Sequence, residues 1–262
     1  MKFKLPEFLE DIATPVEGEV AMRKFICSQA GKAKSRKLDL FAEELSPKAD
    51  ILVGIDEVGR GPLAGPVVAC AAVLKAPDIM PALNDSKKLS RKKREAMFDD
   101  VKEACACYAI ASASVEEIDK MNILEADFLA MRRALQALGL PGISESAPEI
   151  PVESKGSFVE VTGKPVPRVF IAVDGNLKIH GVPENIQMPI VKGDGRIASI
   201  SAASILAKVF RDRFMDKLAE TYPAYGFEKN AGYGSKTHLD AIRKFGFTPV
   251  HRRSFHVKEL EG

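Results

Sequence analysis

Ile51-Leu-Val-Gly-Ile-Asp-Glu-Val-Gly-Arg-Gly-Pro-Leu-Ala-Gly-Pro-Val67 decides how the rest of the chain is read. Ile51 to Ile55 is short, apolar and β-branched, the make-up of a strand buried on both faces, and Gly59, Gly61, Pro62, Gly65 and Pro66 mark the turn that follows. Val67 to Leu74 reads as a second buried strand. Asp56 and Glu57 close the first one, and two adjacent carboxylates there repel each other and resist desolvation unless a cation or donors compensate. A hard divalent metal is the usual compensation. A solvated turn in which both acids face water is the alternative, and residues further along bear on the choice.

Two more apolar runs end the same way. Arg168 to Val173 finishes in Asp174 followed by glycine, and Met188 to Val191 leads into Lys192-Gly-Asp194-Gly. Open α/β sheets place their sites at strand ends, so Asp56, Glu57, Asp174 and Asp194 are expected to converge on a metal. With oxygen ligands only, and no histidine or cysteine nearby in sequence, that metal is expected to be Mg2+ or Mn2+ and not zinc.

The intervening segments support an α/β domain. Asn84 to Arg94 is a dense cation run, either a solvated helix face or a phosphate contact, opening a helix to about Ala104 with Ser90 as N-cap. Cys105 to Ala113 predicts a third strand in a meander with the first two. Ser114 with Glu117 has capping-box spacing and introduces a helical pattern through Met121, Leu124, Phe128, Met131 and Leu135, ending near Gly139. Residues 140–167 read as a long surface loop or a small inserted hairpin around Ser157 to Val161. A helix is expected from Ala198 to about Glu220, broken by Tyr222-Pro223, with Lys208, Arg211 and Arg213 supplying charge. Tyr233 lies between glycines in a loop, where it has little to pack on. It is either a turn residue or a platform for a sugar or base. Lys236 to Phe245 suggests a short helix, and His251 to His256 a basic tail.

The 262-residue chain has a formal charge of +2, too small to imply nucleic-acid binding by itself. Cys27, Cys70, Cys105 and Cys107 show no CxxC spacing and read as reduced core thiols of a cytoplasmic protein. No run is long and apolar enough to span a bilayer, so no membrane partner is expected. Residues 1–48 read as an appendage with short helices and no obvious core of its own, and 49–262 as the main domain.

The blocks Gly54 to Val67, Asp85 to Leu89, Asn122 to Leu124, Val173 to Gly175, Lys192 to Asp194, Ser201-Ala-Ala-Ser-Ile-Leu-Ala-Lys208, Tyr222-Pro223, Gly232 to Gly234 and His251 to Phe255 resemble, in order and spacing, the ribonuclease HII family of type 2 ribonucleases H. The resemblance covers nearly everything from residue 50 onward. It implies a ribonuclease H-like fold, a five-stranded mixed sheet flanked by helices, with a C-terminal helical segment over about 222–262. It also implies an endonuclease that cuts the RNA strand of RNA/DNA hybrids and nicks duplex DNA at embedded ribonucleotides, leaving 5′-phosphate and 3′-hydroxyl ends. The family's catalytic and metal-binding acids fall on Asp56, Glu57, Asp174 and Asp194. Its 2′-hydroxyl-sensing turn falls on Gly59, Arg60 and Gly61, and its junction tyrosine on Tyr233.

Lys87, Lys88, Lys192, Ser201, Ser204, Lys208, Arg252 and Arg253 are the further substrate-binding candidates, and the chain is expected to act as a monomer. Arg60 departs from the sister ribonuclease HIII pattern, which has lysine between the two glycines. Two alternatives stand beside this reading: another two-metal nuclease of the same fold, or a nucleic-acid-binding relative without catalysis. The Gly59–Gly61 turn with Tyr233 speaks against the first, and the full set of acids against the second.

Overall fold

Residues that are apolar on both sides make β1 (Ile51–Val58) the middle strand: Val53 and Ile55 are fully buried under one face of the sheet, while Leu52 and Gly54 meet helices on the other. The computed structural model describes residues 7–10, 12–28, 49–79, 89–150 and 152–258. β2 (Val67–Leu74) and β3 (Cys105–Ala113) complete the expected antiparallel meander, and β5 (Val169–Asp174) and β6 (Gln187–Ile190) add parallel strands on the far side of β1. The sheet order is β4-β3-β2-β1-β5-β6.

Six strands pair where five were expected. The additional one is β4 (Glu153–Lys155), a three-residue edge strand against Tyr108, Ala109 and Ile110. Residues 140–167 therefore hold neither a plain loop nor a hairpin around Ser157. β4 is followed by α5 (Phe158–Thr162), capped by the Ser157 hydroxyl and anchored by fully buried Phe158. Three polar residues on a sheet edge carry no hydrophobic period, so nothing in their pattern announces a strand.

One face of the sheet is covered by α3 (Val115–Met121) and α4 (Ile123–Ala137). The pattern from Ser114 to Leu135 predicts one helix, and the capping box at Ser114 forms. At Asn122, however, the backbone turns to φ 75°, and the Asn122 side chain accepts from the amides of Leu124 and Glu125 to start a second helix. Asparagine tolerates that conformation better than most side chains, and its amide oxygen caps the new N-terminus.

On the other face lie α1 (Pro15–Ser28), α2 (Arg91–Ala104), capped by Ser90 as predicted, and α6 (Ala198–Thr221). Leu9, Met22 and Ile26 share a core with Leu52, Phe170, Met188, Ile190 and Ile200, so α1 seats on the sheet. A Cβ on Gly54 would lie 2.2 Å from the Ser199 carbonyl carbon: β1 and α6 meet backbone to backbone. α7 (Phe227–Asn230) and α8 (Lys236–Phe245) close the C-terminal end over Ala64, Met215, Tyr225, Phe227, Ala241 and Ile242. Cys70, Cys105 and Cys107 are buried free thiols; Cys27, expected in the core with them, is exposed on α1. Among the described residues no helix is long and apolar enough to cross a membrane.

Candidate active site

The parallel register that sets Ile55 beside Val173 brings Asp56 and Asp174 to the same level at the ends of neighbouring strands. Side chains alternate along a strand, so Asp56 leans toward α6 and Glu57 toward α4. Asp56 is only 4% exposed, and its Oδ1 accepts from the Glu57 amide at 2.8 Å. Desolvation, then the charges of Glu57 and Asp174, push its pKa well up; Lys208 and a hydrogen bond from Ser204 oppose the shift. Lys208 Nζ donates to Ser204 Oγ at 2.6 Å, so ammonium, hydroxyl and carboxylate line up along α6. Asp194 arrives on a single 3-10 turn, Gly193–Gly195, where its amide donates to Asp174 Oδ1 at 3.2 Å and its carbonyl accepts from Ser201 Oγ. The strand ends thus set Glu57 and Asp174 beside Asp56, while Asp194 is tied to Asp174 through its backbone amide.

On the opposite side Glu57 meets a residue that the sequence reading passes over. Asp127 of α4 is 1% exposed, and Arg60 bridges the two acids: Nη1 is 3.6 Å from Glu57 Oε1 and Nε is 3.6 Å from Asp127 Oδ2. Glu57 is pushed up to about 7 by desolvation and by Asp127, with Arg60 pulling the other way. Desolvation also takes Asp127 to about 7, again against Arg60. The signal was available, since Asp127 sits on the apolar stripe of α4, three residues after Leu124 and four before Met131.

The glycine-rich turn is held from beneath by two arginines, each 1% exposed. Arg211 of α6 donates to the carbonyls of Pro66, Ala64 and Ala231, and Arg252 to those of Gly65, Arg60 and Gly59. Burial lowers their pKa to about 10 and about 9, which leaves both protonated at neutral pH. Gly59 turns at φ 95°, and a Cβ there would sit 2.3 Å from Arg211 Nε; no other residue fits. Above the turn the Tyr233 ring is 51% exposed, and its Cε1 would be 3.4 Å from a Cβ on Gly61. The Leu63 amide donates to the Gly232 carbonyl at 2.8 Å and ties the two loops together.

Three expectations need correction. Arg252 is buried against backbone and does not face a phosphate. Ser201 and Ser204 are buried too, bonded toward the Asp194 and Asp56 segments, so they position acids and do not line the substrate surface. Arg211, read only as supplying charge on its helix, is interior for the same reason as Arg252: a planar fork of donors matches converging carbonyls. Lys192 and Arg253 are exposed. Lys87 and Lys88 lie outside the described residues, while Arg91 and Arg94 pair with Asp212 of α6, Arg91 also with Asp216.

Among the described residues no three carboxylate, imidazole or thiolate groups already stand in a ligating arrangement, so the carboxylates must turn in together to take a cation. The donor chemistry fits one. Only oxygen donors converge here, burial and like-charged neighbours push the Asp56 carboxyl well up, a cost that a bound cation would relieve, and Asp127 Oδ1 is buried without a hydrogen-bond partner among the described residues.

The same architecture occurs in solved structures. The ribonuclease H2 of Pyrococcus horikoshii matches over 80% of this chain and 94% of its own, with a TM-score of 0.56 and 27% identity. A ribonuclease HII of Archaeoglobus fulgidus, solved with PCNA, shares the fold at a TM-score of 0.58 and 21% identity over 79% of this chain and 96% of that one. Fold and site together define a metal-dependent nuclease of the ribonuclease H-like class. Residues 53–258 match the family model for ribonuclease HII, and the ribonuclease HII of Marinomonas sp. is 48% identical over 215 residues, 81% of this chain and 94% of the relative. That of Fusobacterium nucleatum is 49% identical over 212 residues, 80% and 87% of the two chains. The chain belongs to the ribonuclease HII family, metal-dependent endoribonucleases that act on RNA/DNA hybrids and on ribonucleotides embedded in DNA.

Proposed function

We propose that this chain hydrolyses the phosphodiester beside a ribonucleotide with Asp56, Glu57, Asp174 and Asp194 holding two Mg2+ or Mn2+ ions, and leaves 5′-phosphate and 3′-hydroxyl ends. Such ions, when bound, make an in-line water nucleophilic and neutralise the leaving oxygen, so no protein nucleophile is required. Asp56, with Glu57 and Asp174 beside it, would help to hold both ions; Glu57 and Asp174 would hold the ion that neutralises the leaving oxygen, and Asp194 would support the one that activates water. Ser204 and Lys208 keep Asp56 oriented. A related ribonuclease HIII, similar in fold at a TM-score of 0.54 and 19% identity, has been crystallised with Mn2+, which agrees with the oxygen-only donor set.

The observation that carries the substrate reading is the Tyr233 ring lying over Gly61, beside the end of the strand that bears Asp56. In this reading backbone groups of Gly59, Arg60 and Gly61, in a turn that Arg252 holds at Gly59 and Arg60, exchange hydrogen bonds with a 2′-hydroxyl, which both donates and accepts. Tyr233 then packs on the neighbouring deoxyribose. Exposed Lys192 and Arg253, with Lys87 and Lys88, are the candidates for backbone phosphates. Labelled duplex DNA carrying one ribonucleotide, compared with all-DNA and all-RNA duplexes in Mg2+ or Mn2+, tests this reading. Cleavage is expected at the ribonucleotide and absent from all-DNA; equal cutting of both duplexes would sink it.

A further inference from the structure

Asp127 has a cost that packing does not repay. Its side chain is 2% exposed, and among the described residues Oδ1 has no hydrogen-bond partner and the one ion pair, Oδ2 to Arg60 Nε at 3.6 Å, is too long to be a hydrogen bond. A buried carboxylate so poorly satisfied calls for a reason other than stability. Arg60 supplies one, because the same guanidinium stands 3.6 Å from Glu57 Oε1. One cation therefore serves two acids, and Glu57 is the acid that a divalent metal would claim.

We infer that Asp127 is a positioning residue that takes Arg60 over from Glu57: when the Glu57 carboxylate turns to the metal, the Asp127 carboxylate keeps the guanidinium in place at the base of the recognition turn. The inference rests on the reading of Glu57 as a metal ligand. Without Asp127, Glu57 is the acid among the described residues left to pair with Arg60, and metal must compete with it. With Asp127 present the exchange is an exchange of partners. Arg60, whose side chain is 44% exposed, has the freedom to make it.

The test is direct Mn2+ binding without substrate, read from the electron paramagnetic resonance of free Mn2+, on Asp127→Asn, Arg60→Ala and the double variant. Asp127→Asn is expected to raise the half-saturating Mn2+ concentration about five- to tenfold while its urea midpoint holds or rises, a combination that a purely structural role would not give. Arg60→Ala should lower that concentration, and in its background Asp127→Asn should change it less than twofold. If Asp127→Asn weakens Mn2+ binding equally in both backgrounds, Asp127 acts on the metal through its own charge and the inference is wrong. It is equally wrong if Asp127→Asn leaves Mn2+ binding untouched. Glu57→Gln tests the parent reading separately: unchanged Mn2+ binding in that variant removes Glu57 from the metal site and takes the inference with it.

Discussion

Asp56 and Asp174 are the residues on which the proposed chemistry turns, and their position was legible because an acid that ends a buried strand has few reasons to be there. Asp56→Asn and Asp174→Asn are each expected to lower cleavage in saturating Mg2+ by well over the 10- to 100-fold typical of outer-sphere changes. Metal-free thermal stability should hold or rise, since like charges around Asp56 are relieved. A gel assay beside a melting curve checks both, and retained activity removes that acid from the site. Tyr233→Ala should cost about 1 to 3 kcal/mol in cleavage at a single embedded ribonucleotide, the range of a stacking contact, with Mn2+ binding unchanged. Wild-type rates on that substrate would make Tyr233 a turn residue. The buried polar side chains were harder to read. Asp127 hides among apolar neighbours, and Ser201 and Ser204 look alike whether they face substrate or support an acid, because a lone hydroxyl in a sequence has no direction.

Elements were legible where a period or a cap wrote them. β1, β2, β3 and the Ser90-capped α2 fall where alternation and capping chemistry put them; β4 and the break at Asn122 depend on tertiary pairing and a single backbone angle. The two arginines under the glycine-rich turn belong with the second group, since charge alone reads as surface. Arg252→Lys is expected to lose about 2 to 3 kcal/mol of stability, because one ammonium cannot serve the carbonyls of Gly59, Arg60 and Gly65 together. The salt dependence of hybrid binding should not change. Urea unfolding and a salt titration separate the readings, as a phosphate contact would do the reverse. α1 is joined to α6 in a comparable way: fully buried Glu19 accepts from the Ser199 amide at 3.1 Å and hydroxyl at 2.7 Å, satisfying an N-terminal amide that Ile197, as N-cap, leaves open. Glu19→Ala should therefore cost about 1 to 3 kcal/mol in urea unfolding, whereas a detached appendage would give no change.

At the scale of the whole molecule, a chain of hydrogen bonds couples the C-terminal layer to the Tyr233 loop, and acid should break it. The Thr248 amide and hydroxyl donate to His251 Nδ1 at 2.9 and 2.8 Å, so that nitrogen carries no proton and Nε2 does. Nε2 of His251 then donates to Nε2 of His238 at 3.0 Å, and His238 Nδ1 donates to the Tyr233 carbonyl at 2.9 Å. Both rings must be neutral, because a proton added to either one puts two N–H groups face to face. Burial, joined at His251 by the charge of His238, takes His251 down to about 4 and lowers His238 as well. The unfolded chain takes up the His251 proton at about pH 6.5 and the folded one only near pH 4, so the stability that this ring contributes is complete above about pH 6.5 and is lost as pH falls toward 4, with His238 acting in the same direction. His251→Asn keeps an acceptor for Thr248 and removes the titrating ring. Its melting temperature should be lower at pH 7.5, by the equivalent of about 1 to 3 kcal/mol for the donor withdrawn from His238, and it should decline less steeply than wild type between pH 6.5 and 4. Thermal melts of both proteins across that range decide the matter: parallel slopes would mean that acid acts elsewhere and that the histidine pair does not hold the Tyr233 loop to the body of the protein.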